Sequence, residues 1–449
     1  MTFVKFIIIF VFIIAGNNAF AQEVKVYSLK ESISEAIANN WALKAKAEKI
    51  EQAAQLKKQA RAGFFPKIST SYAYTRLNET PIMRIGALPI PANSPYAGLS
   101  GMFDGLQAGS RKNFQWKGTI TQPIFTGFAL VSSYELAKLG IDSSIIEKEK
   151  EILDVALNVK NAYFGILQAD KALDVAKKAV ESLQSHVRVA KSHYDVGMTA
   201  VNEFLKAEVE LANAMHRLIK ATNGTRLARA YFNTVLSRDI SSPVKVEDVR
   251  DFTPERGEFH DYLNKSLANR SVIKLLDIHI KQAGQQIRLA KSRLYPEVAL
   301  NYDYIKEGDE SDVSGSNYHD ANRWQVVAFA SWTIWEWGKR TAAIKEKKHF
   351  LRELINTRKA LIDNISFELK DALLALDEAE ENIPTTKKAV EQAEENLRVS
   401  QERYYAQMTT STEVLDANTL LTQAKTNYYN SFYSHSLSTA KLKRILGTY

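Results

Sequence analysis

The stretch HYDVGMTAVNEFLKA at residues 193–207 returns 210 positions later as RYYAQMTTSTEVLDA at 403–417. Tyr194, Met198, Thr199, Glu203, Leu205 and Ala207 reappear as Tyr404, Met408, Thr409, Glu413, Leu415 and Ala417. Upstream of each stretch, KKAVE occurs at 177–181 and again at 387–391. Further toward the N-terminus, residues 36–74 align without gaps on 266–304 at an offset of 230, with 11 of 39 positions identical. Self-similarity on this scale means one structural unit written twice. The offset falls by 20 between the paired segments, so the first copy holds extra residues there. They fall in 75–113, rich in Gly, Pro, Ser and Asn, opposite 305–323 in the second copy. Length variation of this kind belongs to surface loops.

Each copy reads in the same order. A helical stretch rich in Ala, Lys, Glu and Gln runs over 29–64 and again over 258–294. A proline, Pro66 or Pro296, breaks it ahead of two strand-like segments that flank the loop. A very long helical stretch follows, 128–195 or 338–405, on the order of 100 Å if continuous. Pro384 is expected to kink or restart the second one. After short breaks at 196–202 and 406–412, last helices run over 200–237 and 411–447. The chain therefore divides into a segment 1–21, a first repeat 22–237, a linker 238–258 carrying Pro243 and Pro254, and a second repeat 259–449.

Residues 1–21 read as a secretory signal peptide: Lys5, an apolar run from Phe6 to Ala15, and Ala19-Phe20-Ala21 before Gln22. The run is too short for a membrane anchor, and no later stretch approaches a transmembrane helix. An exported chain of this kind enters a membrane by strands or not at all. Among 449 residues there is no cysteine, which excludes disulfides, thiol catalysis, Cys-ligated metals and a lipidated N-terminal cysteine. Lys plus Arg 59 against Asp plus Glu 51 is a mild excess, and no nucleic-acid motif accompanies it. The eight histidines form no HExxH, and His186 and His193 lie two helical turns apart, too far to share a metal. No phosphate-binding loop and no nucleophile constellation is present, so the sequence reads as a non-enzyme without metal or cofactor.

The four strand segments, about 66–76, 114–125, 296–305 and 324–335, alternate with period two. Ile68, Tyr72 and Tyr74 share one face of the first; Phe114, Trp116, Ile120 and Ile124 share one face of the second. Val298, Leu300, Tyr302 and Tyr304, then Trp324, Val326, Ala328 and Ala330, do the same in the second copy. Val327 and Phe329 interrupt the polar face of the last segment. About ten residues of alternation with aromatics near the ends (Phe125, Trp332, Trp335, Trp337) fit a transmembrane β-strand. A soluble sheet with one buried face is the competing reading. Four strands cannot close a bacterial outer-membrane barrel, whose lower limit is about eight. Two subunits would supply 8 strands and three would supply 12.

The order and duplication of these marks resemble the TolC family of trimeric outer-membrane channel proteins. The marks are AIANN at 36–40, ARAGFFPKIS at 60–69, QPIFTG at 122–127 with its diverged partner TIWEWGKR at 333–340, and the two stretches quoted at the outset. The resemblance covers essentially the whole chain after residue 21. It implies a mostly α fold with membrane β: a homotrimeric 12-stranded β-barrel in the outer-membrane lipid, continued by a long α-helical barrel crossing the periplasm. It implies an exit duct for efflux or type I secretion, energised by an inner-membrane pump through a periplasmic adaptor. A soluble periplasmic coiled-coil adaptor or structural protein is the alternative; it explains the helices but not the alternating strands.

The resemblance also singles out residues. The breaks would form the periplasmic tip that meets the adaptor, with Gly197, Met198 and Thr199, then Gln407, Met408 and Thr409, at the matching positions. Gln407 stands where the first copy has glycine. Glu413 and Asp416 lie i, i+3 on one helix face and match an acidic periplasmic gate. Tyr404 and Glu203 match the network that holds that end shut, while Thr409 stands in place of a gating arginine. A plainer role for Glu413 is also available, since Thr410-x-x-Glu413 spells a capping box.

Overall fold

The computed structural model describes residues 25–83, 91, 93–97, 106–248 and 257–449. The expected signal peptide at 1–21 lies outside the described residues, as do parts of the first loop and of the linker. In chain order the elements are β1 (Val26–Tyr27), α1 (Leu29–Asn39), α2 (Trp41–Ala62), β2 (Lys67–Arg76), β3 (Ile82–Met83), β4 (Leu106–Gln107), β5 (Lys112–Phe125), α3 (Ala129–Asp195) and α4 (Val201–Val235). They continue with β6 (Lys245–Val246), α5 (Phe259–Asn269), α6 (Ser271–Ser292), β7 (Glu297–Gly308), β8 (Asn322–Ser331), α7 (Lys339–Tyr405) and α8 (Ser411–Ile445).

The duplication is carried through to helix lengths. α1 and α5 have 11 residues each, α2 and α6 have 22 each, α3 and α7 have 67 each, and α4 and α8 have 35 each. The expected single helices at 29–64 and 258–294 are each broken once, at Asn40 and at Arg270, where ψ turns to 126° and 120°. The Asn39-Asn40 pair is a weak helix former and accounts for the first break; Arg270 is not, so propensity alone does not place the second. The start of α1 is fixed by Ser28, whose hydroxyl accepts from the Glu31 N–H while the Glu31 carboxylate accepts from the Ser28 N–H. Pro384 neither ends nor restarts its helix: α7 runs through it. A proline removes one ladder bond, and the packing on the rest of this long helix tolerates that loss.

The chain forms two compact units. The first comprises the described residues of Met1–Trp41, Ile152–Tyr262 and Glu368–Tyr449. Its helices bury heptad-like seams: Val155, Val159, Ala162 and Ile166 on α3, and Leu369, Ala372, Leu376 and Ala379 on α7. The two-residue strands β1 and β6 pair in parallel and are pinned by the buried Tyr163, whose hydroxyl donates toward the carbonyls of Tyr27 at 3.1 Å and Glu247 at 2.8 Å.

The second unit, Ala42–Glu151 with Leu263–Phe367, carries a four-stranded antiparallel sheet in the order β2-β5-β7-β8. Register follows the alternation, since even positions face even positions up to the register shift near Pro123: Ile68 opposite Ile120, Tyr72 opposite Trp116, Tyr302 opposite Val326. Pro123, in a central strand, lies beyond the last β2 pairing at Thr121 and beside a register shift, where a proline is tolerated. The last strand is shorter than expected from 324–335. β8 ends at Ser331, because its partner β7 begins at Glu297, directly after Pro296, and nothing remains to pair with Trp332–Trp335. Among the described residues the outer edges of β2 and β8 have no strand partner.

The two faces of this sheet differ in the sense opposite to a water-soluble one. The apolar face is open: Ile68 is 78% exposed, and Tyr72, Tyr74, Trp324 and Val326 are exposed with it. The polar face is internally bonded. Asp303 accepts from Thr119 Oγ1 at 2.7 Å and Gln325 Nε2 at 2.9 Å and pairs with Lys117 at 3.0 Å. Glu307 accepts from Gln115 at 3.1 Å and pairs with Arg323 at 3.4 Å. Asp303 and Glu307 are buried.

Candidate functional site at the paired helical turns

The turns α3–α4 and α7–α8 are built alike. In the first, the Met198 N–H donates to the His193 carbonyl and the Gly197 N–H to the Tyr194 carbonyl, both at 2.8 Å. In the second, Met408 donates to Arg403 at 2.8 Å and Gln407 to Tyr404 at 3.0 Å. These nested bonds close a helix end through one left-handed residue. Gly197 takes φ 77° and Gln407 takes φ 61°, so the glycine-free turn keeps the geometry of its twin at some strain. The Gln407 side chain reaches across and donates to Met198 Sδ at 2.7 Å, joining the two turns. Met198 and Met408 are both exposed there.

Glu203 and Glu413 occupy equivalent positions, yet they bond differently. The Glu203 carboxylate leaves its own hairpin and accepts from the backbone N–H of Ser411, the first residue of α8, at 3.0 Å. An acidic group on an orphan N–H at a helix N-terminus is doubly favourable, by hydrogen bond and by dipole. Glu413 instead folds back within its hairpin. It pairs with Arg403 at 3.0 Å and accepts from the Thr409 hydroxyl. Arg403 stands where the first copy has His193, and that exchange explains the difference. The capping box spelled by Thr410-x-x-Glu413 does not form: Thr410 is the N-cap but makes no side-chain cap bond. The ion pair, with both partners roughly half exposed, contributes about 0–1 kcal/mol.

Tyr404 is buried, its ring packed against His186 at 4.8 Å and His193 at 5.3 Å between ring centroids. Burial, with the Glu203 charge nearby, pushes its hydroxyl pKa up. His186 Nε2 and Ser411 Oγ share a 2.7 Å hydrogen bond, and Ser411 is fully buried. Burial depresses the His186 imidazole to about 4, against the opposing pull of Glu203 and with a smaller push from His193. Below this, Asn418 Nδ2 donates to Ser182 Oγ at 2.7 Å. The apolar surround is Ala190, Ala207, Leu397, Val414 and Ala417. Ser411 and Asn418 carry no mark in the sequence, and His186 shows there only as too far from His193 to share a metal. The available signal was the seven-residue spacing of His186 and His193, which puts both on the face that receives Tyr404.

Asp416 points elsewhere than Glu413. It is exposed and lines a groove of about 540 Å³ between α4 and α8 with Leu205, Lys206, Glu210 and Leu415. Within one chain the two carboxylates are thus not brought together. Thr199 belongs to the first turn and makes no bond to the second. Among the described residues no group of three or more His, Asp and Glu side chains is placed to hold a metal ion. No described helix is long and apolar enough to cross a membrane.

Comparison with known proteins bears on the family and the fold. The Outer membrane protein TolC of Escherichia coli K12 is 21% identical over 69% of this chain, which spans 64% of that protein's length. The Vibrio cholerae TolC is 23% identical over 65% of this chain and 67% of its own. The crystal structure of the Campylobacter jejuni CmeC outer membrane channel superposes with a TM-score of 0.78 at 18% identity, covering 93% of this chain and 85% of that one. Residues 32–236 and 262–448 match the outer membrane efflux protein family, so both repeats are included. The chain belongs to the outer membrane efflux protein family, as a TolC-like protein of the Gram-negative outer membrane.

Proposed function

We propose that three copies of this chain form a passive exit duct for efflux or type I secretion, driven by an inner-membrane pump through a periplasmic adaptor. The sheet carries this reading. Its apolar face is open, its polar face is bonded to itself, and its two edges lack partners among the described residues. Open edges are not tolerated in lipid, and closure by identical copies removes them. Three copies give the 12 strands expected from the resemblance. A soluble adaptor would leave Ile68, Tyr72 and Trp324 in water with nothing to cover them. The chain acts as a conduit rather than a catalyst, and its repeats are 22–237 and 259–449, exported by a cleaved signal at 1–21.

The paired turns are the proposed adaptor-contacting tip, through Gly197, Met198, Thr199, Gln407, Met408 and Thr409. Glu413 and Asp416 are the proposed gate, with Tyr404 and Glu203 in its lock. Arg403 supplies the cation that the threonine at 409 cannot, and His186 and Ser411 complete the lock on the buried side. Cell fractionation tests the assembly: a heat-resistant trimer in the outer-membrane fraction is expected, and a monomer soluble in the periplasm would overturn it.

A further inference from the structure

The end of the sheet nearest the helices is rich in cations. β2 begins at Lys67 opposite Thr121, β5 ends with Phe125 opposite Val298, and β7 begins at Glu297 opposite Ser331, so all four helix-bearing strand ends lie together. The chain is tied there by side chain to backbone bonds: Gln122 to the Phe64 carbonyl at 3.1 Å, the Trp332 indole to Leu294 at 3.1 Å, and Arg340 to Arg293 at 2.9 Å. Sequence leaves this end almost free of acids. No Asp or Glu occurs between Glu51 and Glu79, nor between Asp277 and Glu297. Lys58, Arg61, Lys67, Lys291, Arg293 and Lys339 are exposed in those segments and at the start of α7; Glu297 and Glu336 are the acids beside them, and Glu336 pairs with Arg340 at 3.2 Å and with Lys339 at 3.9 Å. At the other end the signs are mixed: Asp309, Glu310, Asp312 and Asp320 stand with Arg76, Arg111, Lys112, Lys306 and Arg323.

Aromatic side chains stand among the cations. Trp337 is 90% exposed, Trp335 is 71% exposed, and Phe65 and Tyr295 are exposed beside the two helix ends. Trp337 also sits at φ 50°, in the left-handed region. Its equivalent in the first copy, Gly127, has no room for a Cβ against the Ser292 carbonyl. The Trp337 indole thus projects into solvent from a backbone conformation that disfavours side chains. Indoles of this exposure among cations, next to an apolar sheet face, match the boundary between acyl chains and charged headgroups.

We propose that this collar binds the phosphate-bearing headgroups of anionic phospholipids in the leaflet nearest the helices, the cations contacting phosphate and the aromatics wedging between headgroups. The proposal rests on the membrane reading of the sheet. Each cation held near an anionic surface strengthens binding about fivefold.

The full-length protein is placed in lipid nanodiscs of phosphatidylcholine alone or mixed with phosphatidylglycerol, and native mass spectrometry counts the lipids that stay bound. Retention of phosphatidylglycerol above its share of the disc is expected. K58Q/R61Q/K291Q/R293Q/K339Q, which touches only exposed side chains, should still insert and should lose that enrichment by on the order of tenfold or more. If the five changes together prevent insertion, K291Q/R293Q/K339Q carries the same measurement. Equal retention of the two lipids, or enrichment unchanged in the variants, would overturn the collar while leaving the membrane reading intact. Displacement of the bound lipid by inorganic phosphate at matched ionic strength would overturn the lipid assignment in favour of a soluble-anion site. Failure to insert into either disc would overturn the membrane reading and the collar with it.

Discussion

At the scale of single residues, two equivalent glutamates do different work because one neighbour changed. Glu203 caps the other repeat's helix at Ser411, and Glu413 is recruited by Arg403. The carboxylates and Tyr404 were legible in the sequence as matched positions; their bonding was not. Nothing local says that Glu203 crosses between repeats, or that Thr410 fails to cap. In the sequence His186 shows only as a histidine too far from His193 to share a metal, whereas it is a neutral, buried group bonded to Ser411. Its depressed pKa makes stability depend on pH in a defined sense. The unfolded chain takes up a proton near 6.5 and the folded chain only near 4. This contribution is therefore fully present above about 6.5 and is lost as pH falls toward 4, by on the order of 3 kcal/mol. Thermal unfolding across that window should show the slope, and His186→Gln should flatten it. An identical slope in the variant would mean that another group titrates. Gln407 offers a second test. Gln407→Gly removes left-handed strain of about 1 kcal/mol but also the bond to Met198. Gly197→Gln adds the strain without any gain, so its Tm should fall while that of Gln407→Gly holds or rises.

At the scale of elements, helix lengths and strand alternation follow from the sequence with few exceptions, and each exception has a cause beyond local pattern. α7 continues through Pro384 because a helix of 67 residues has many other contacts to hold it. β8 stops at Ser331 because pairing needs a partner, and Pro296 sets where β7 begins. Val327 and Phe329, which interrupt the polar face, lie opposite Asn301 and Ala299 and are exposed. Nothing in the chain explains them. The sheet makes a face-specific prediction. Ile120→Arg on the apolar face should cost about 2–4 kcal/mol of insertion if it sits near the bilayer midplane. Thr119→Arg, its neighbour on the Asp303 face, should cost far less and should change ion selectivity instead. Yield of folded protein in outer-membrane vesicles measures the first effect, and reversal potential the second. Equal losses from both variants would contradict the assignment of faces.

At the scale of the whole molecule, duplication is the governing fact. One strand–helix unit repeated gives a four-stranded sheet whose two outer edges have no strand partner among the described residues, and four matched helix pairs. The family match over both repeats fits this, and the E. coli TolC alignment spans 64% of that protein. Oligomer number and partners were not legible from the pattern of one chain, because strand arithmetic permits 8 or 12 and contacts between copies leave no periodic mark. In an assembly of three, Glu413 and Asp416 would bring six carboxylates to one end of the duct, and such a ring favours cations. Single-channel recording of the purified full-length protein in a planar lipid bilayer addresses this claim without intermediaries. Discrete conductance steps with a cation-selective reversal potential are expected, with selectivity weakened in E413Q/D416N. Protein that inserts but never conducts, or that conducts with the same selectivity after both charges are removed, would contradict the duct or its gate respectively.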